Sequence, residues 1–269
     1  MRVFVLSTVA LAGIGISAVA ADNVNPEEVI RKFAAKELEF QQARNNYTYR
    51  QSAKLETIPD GGKWEMVSDI IFTPEGKRIE KVVYAPVPTL KMIGLSPQDE
   101  QDLRNVQPFV LTTPEIPEYD IQYLGKEKLD EIGCYTFSVK PKKMVQGKRY
   151  FEGQIWVDDR DYQIVKTYGK GTGLLKKSED QAFPKFETYR EQIDGKYWFP
   201  TYTRANDTLH FKNGDNVPIR MTVKYQDYKK YEGRSTIKFG DVVEDGKSQG
   251  PPTTPPSTGT TPPAPPKKK

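Results

Sequence analysis

The chain has little of several things, and each shortage closes off a class of function. A single cysteine, Cys134, stands among 269 residues, so no intramolecular disulfide can form and stability has to come from a core. Roughly 220 residues between the two ends of the chain are enough to bury one without staples. A single histidine, His210, leaves one possible imidazole for a histidine-built metal cluster or a Ser-His or Cys-His pair. It sits beside a turn and reads as a surface residue. Charge of one sign is missing too: 40 basic and 36 acidic residues give a net +4 and are spread along the chain, which argues against a nucleic-acid stripe. Beyond the first 21 residues no run is long and apolar enough to span a bilayer.

The first 21 residues are different. Arg2, an apolar run from Val3 to Ile16 and small residues up to Ala21 form the three-part layout of a secretory signal, with cleavage expected after Ala20 or Ala21. Residues 22–245 then form the folded domain. From Gly246 the chain turns to GKSQGPPTTPPSTGTTPPAPPKKK, which has no periodic apolar face, and 246–269 reads as an extended tail with a basic tip at Lys267 to Lys269.

Within the domain, Asn25-Pro26-Glu27-Glu28 starts a helix: a cap, a proline suited to the first turn and two acids at the positive end of the dipole. Val29, Ile30, Phe33, Ala34, Leu38 and Phe40 continue it at helical spacing to about residue 45. A second, short helix is expected after Ser96-Pro97. The remaining elements read as strands, with Pro86 and Pro88 stopping the sheet and Pro108, Pro114 and Pro117 marking an extended connector. Tyr119 to Tyr168 predicts four strands, with Tyr135, Phe137 and Val139 alternating against Thr136, Ser138 and Lys140. Further strands are expected over 46–57, 64–72, 77–84, 185–193, 196–204, 218–228 and 235–243. The fold class is mainly β with helices added: a curled, incompletely closed antiparallel barrel of about eleven strands, lidded by the two helices.

Chemistry is hard to seat. Asp158, Asp159 and Asp161 lack the spacing of a calcium loop and read as a hairpin turn, and Gly169 to Gly173 matches neither phosphate-binding pattern and reads as a loop. No catalytic residue, metal or cofactor is assigned. What remains is aromatic surface: Trp64, Phe72, Tyr84, Phe137, Trp156, Trp198 and Tyr202 lie on strands, as core if the helices fill the sheet's interior and as cavity lining if they only lid it.

One stretch carries a family resemblance. YLGKEKLDEIGCYTFSVKPK, followed by GQIWVDDRDYQIVKTYG, resembles the superfamily of the periplasmic outer-membrane lipoprotein carrier (the lipoprotein-sorting proteins), which also includes the envelope stress regulator that binds an anti-sigma factor. The resemblance implies an exported, periplasmic, non-enzymatic protein whose half-barrel binds lipid or lipoprotein acyl chains. The alternative is a sensor or interaction protein that docks an envelope protein or wall polymer through its sheet face or tail. Neither reading brings in nucleic acid.

Overall fold

A computed structural model of the protein describes residues 24–59, 61–73, 75–104, 109–174 and 184–231; the leader, the tail and the strand that the sequence leads one to expect over 1–21, 246–269 and 235–243 lie outside them. Helix α1 spans Pro26–Arg44, and the Asn25 side-chain oxygen accepts hydrogen bonds from the amides of Glu27 and Glu28 at 3.1 and 3.3 Å. Its buried stripe is Val29, Phe33, Ala34, Glu37 and Phe40. One member of that stripe is an acid.

Ten strands follow: β1 Tyr47–Thr57, β2 Lys63–Phe72, β3 Arg78–Tyr84, β4 Tyr119–Leu129, β5 Ile132–Pro141, β6 Tyr150–Asp158, β7 Ile164–Thr172, β8 Phe186–Gln192, β9 Trp198–His210 and β10 Asn216–Lys230. Helix α2, Pro97–Arg104, interrupts them between β3 and β4. All ten form one antiparallel sheet in the order 3-2-1-10-9-8-7-6-5-4. The only sequence-distant pairing is β1 with β10, and β3 and β4, adjacent in the chain, end at opposite open edges. The connector between them therefore has to cross from one edge to the other, and it carries α2 as it goes. The Gly169–Gly173 run is not a free loop, because β7 continues through Gly171 and Thr172 against β6.

Strict alternation sorts the side chains. In β1 every odd residue from Tyr47 to Thr57 is buried, and in β2 so is every even residue from Trp64 to Phe72. Register then draws one inner row across eight strands: Met66, Ala53, Val223, Thr203, Thr188, Thr167, Ile155 and Phe137. Its ends are apolar and its middle is three threonines. The interior accordingly divides into two apolar halves with a polar seam between them. In the β4–β7 half, Phe137, Val139, Ile155 and Val157 pack beneath Val29, Phe33 and Ala34 of α1 and beneath Leu111. In the other, β1, β2, β9 and β10 present Leu55, Trp64, Met66, Ile70, Ala205, Val217, Ile219, Met221 and Val223.

Candidate ligand-binding interior

The two halves are covered differently. Phe33, Ala34 and Leu111, over the β4–β7 half, are 0–1% exposed. Over the other half lies a strap, residues 89–104, whose contacts are Leu90, Ile93, Leu95 and Leu103, all only partly buried. At its start the strap is pinned where the Thr89 amide donates to the Lys63 carbonyl at 2.8 Å. Its helix is capped as the sequence predicts, with Asp99 accepting from the Ser96 amide at 2.9 Å and the Asp99 amide donating to Ser96 Oγ at 3.2 Å. At its far end is a polar latch. The Arg104 carbonyl accepts from Gln51 Nε2 at 3.0 Å and Arg78 Nη2 at 3.1 Å, and Arg104 Nε donates to Glu80 at 2.8 Å.

The seam is electrostatically unusual. Glu37 of α1 and Arg190 of β8 form a bidentate pair at 2.9 and 3.2 Å, both side chains essentially without exposure. Glu37 also accepts from the Ile164 amide, and Arg190 donates to the Phe109 carbonyl. Burial pushes the Glu37 carboxyl above the ordinary glutamate value, against the pull of the Arg190 guanidinium. Arg44, at the end of α1, lies over the Phe72 ring at 5.6 Å, and its Nε is buried without a partner, as is the Nε of Arg190. Burial lowers the Arg44 pKa. Three guanidinium groups, of Arg44, Arg78 and Arg190, thus stand along an interior where Glu37 and Glu80 are the paired acids, with the more exposed Arg104 at its rim.

Of the seven aromatic residues singled out by the sequence, three face this interior. Trp64 and Phe72 belong to the strap-covered wall, and Phe137 lies 5.6 Å from Phe33 in the other half. The remaining four stand on the opposite face. Trp156 and Trp198 close a small cluster around Cys134 and Val165, and Trp198 Nε1 donates to Asp161 at 2.8 Å. Tyr202 pairs across strands with Tyr189 and Lys224, and Tyr84, 51% exposed, donates to Glu65 at the β3 edge. The inner three are buried within the apolar clusters. The sequence reading missed Glu37, Arg190, Arg78 and Glu80. Only Glu37 left a trace there, a charge between Phe33 and Phe40 on the apolar stripe.

The aspartate cluster is a turn, as expected: Asp158 accepts from the Arg160 amide and Asp161 from the Gln163 amide. Among the described residues no group of acids, histidine and cysteine could hold a metal ion, and no helix is long and apolar enough to cross a membrane.

No family model and no curated protein matches the chain. Solved structures do. A DUF1329 family protein from Desulfovibrio piger is 14% identical, covering 81% of this chain and 98% of its own, at a TM-score of 0.43. A LolA superfamily protein from Nitrosomonas europaea is 13% identical over 76% of this chain and 93% of its own, at 0.33. MucB in complex with MucA from Pseudomonas aeruginosa is 8% identical over 74% and 99%, at 0.22. The superfamily that the strand motifs resemble is thus among the structural matches.

Proposed function

We propose that the protein is a non-enzymatic periplasmic carrier that takes up acyl chains between the β1–β2–β9–β10 wall and the strap. The observation that carries this is the asymmetry of the cover: a broad, largely apolar wall is closed by four half-buried aliphatic side chains and one polar latch. The wall's side chains are buried with the strap packed against them, so uptake requires the strap to lift. The arginines of the seam stand beside the wall, where the carbonyls or anionic head of an amphiphile would lie.

Magnitudes narrow the ligand. Ten buried methylenes of one chain contribute ~8 kcal/mol. Association costs at least ~4 kcal/mol, which leaves a single chain near millimolar affinity. A second chain, or an arginine contact with the head, brings binding to the micromolar range, so diacylated molecules are the expected cargo. The test is titration of lipid-stripped protein with a synthetic diacylated lipopeptide and with palmitate, followed by Trp64 fluorescence. Tighter binding of the lipopeptide, lost on Met66→Arg, supports the reading; no uptake of either, in the native protein and in Glu80→Gln with its latch weakened, overturns it.

A second reading has its own observation. The β3 edge exposes Ile79, Val82, Val83 and Tyr84 at 39–51%, a strand onto which an extended segment of an envelope protein could add.

A further inference from the structure

We infer a second binding site, for a hydroxyl-rich glycan strand, in the groove across the outer face of β4–β7, on the side of the sheet opposite the strap. The groove has a volume of about 540 Å³. Register sets Gln122, Ser138, Gln154 and Tyr168 side by side across its four strands. Adjacent strands lie ~4.8 Å apart, a spacing comparable with the repeat of a β-1,4-linked pyranose chain. The side chains of Ser138, Gln154, Glu152 and Tyr168 make no hydrogen bond among the described residues, although Gln154, Glu152 and Ser138 are half-buried. Amide, hydroxyl and carboxylate groups left unpaired in a concave site are donors and acceptors placed for a ligand. Tyr168, 42% exposed, offers a ring face on which the C–H face of a sugar stacks.

The floor is shaped by glycine. Gly153 and Gly169 face each other across β6 and β7, and a Cβ on either would meet backbone atoms at 2.2 and 2.4 Å and the Phe151 ring at 2.9 and 2.7 Å. Only glycine leaves room there for the two backbones and the Phe151 ring.

Other occupants fit less well. Asp120 opposes Lys140 and Glu152 opposes Lys170, so the groove carries only the single surplus charge of Lys185 and would not draw a polyanion. The groove runs across the strands, so a peptide in it finds no free ladder groups, and it has no apolar pocket for an anchoring side chain. An acyl chain would leave the Ser138, Glu152 and Gln154 polar groups desolvated and unpaired.

The experiment is calorimetric titration of the full-length protein with chitotetraose and cellotetraose. At least one should bind with a dissociation constant on the order of 0.1–1 mM, weakened about tenfold by Tyr168→Ala and by Gln154→Ala. Both variants replace groups without partners in the fold and should keep the thermal midpoint of the native protein. The inference is overturned if neither oligosaccharide gives heat at several times that concentration, if both groove variants bind like the native protein, or if the groove takes a short peptide and no sugar.

Discussion

At the scale of single residues, the interior acid and the interior thiol make the sharpest statements. Glu37 and Arg190 stabilise each other only as a pair, because either one alone is a buried charge without compensation. Glu37→Gln should cost about 3 kcal/mol, and the joint replacement Glu37→Leu with Arg190→Met should recover most of that, as read by urea denaturation. A joint variant as unstable as the single one would refute the pairing argument. Cys134, 0% exposed, has its pKa pushed up to about 11 by burial, reinforced by Asp158 and Asp159 nearby. Its alkylation by iodoacetamide at pH 8 should be slow in the native protein and rapid in urea. Comparable rates in both would show the thiol to be accessible. Both residues show how far sequence goes at this scale. The bland reading of Cys134 as a small buried side chain followed from its place in an alternating strand, whereas Arg190 looked like any other charge in TYREQ until register put it on the inner face beside Thr188.

Among the elements, the outer ladder and the glycine pair give separate tests. On β7, β8 and β9, Glu187 sits between Lys166 and Arg204. Burial raises its pKa, but hydrogen bonds from Arg204, Tyr189 and Lys166 outweigh that and hold it below the ordinary value of 4.5. A carboxylate depressed in the folded state contributes stability that is present above its unfolded value and lost as pH falls through its folded one. The unfolding free energy should therefore drop on acidification below about pH 4.5, and by less in Glu187→Gln; equal slopes in the two proteins would contradict the assignment. Gly153→Ala should destabilise by roughly 2 kcal/mol through overpacking, measurable by thermal unfolding, because its Cβ would press on backbone that has no room to yield. Helix α1 and its cap were legible in Asn25-Pro26-Glu27-Glu28, and so was the β8–β9 turn at Asp194-Gly195, where Gly195 takes a φ of 74°. The run Gly169 to Gly173 misled because glycine marks a close strand approach as readily as a loop.

For the whole molecule, a sheet with two open edges and a strap over one half of its interior predicts uneven mobility. Amides of 90–104 should exchange with deuterium well before those of α1, and binding of a diacylated lipopeptide should slow them and raise the thermal midpoint, by linkage about 2.7 kcal/mol at a hundredfold excess over the dissociation constant. Equal protection of strap and α1 would remove the basis for the lid. By itself the sequence determined the class of the fold: alternation with a period of two, turn residues at regular intervals and one capped amphipathic helix are local signals, written within a few residues of where they act. It could not say which face of each strand turns inward, because inward and outward are defined only once β1 has paired with β10, some 170 residues away, and bulges have shifted register along the way. That long-range pairing put Trp64, Phe72 and Phe137 inside, left Tyr84, Trp156, Trp198 and Tyr202 outside, and gathered Glu37, Arg44, Arg78 and Arg190 from three separate elements into the interior.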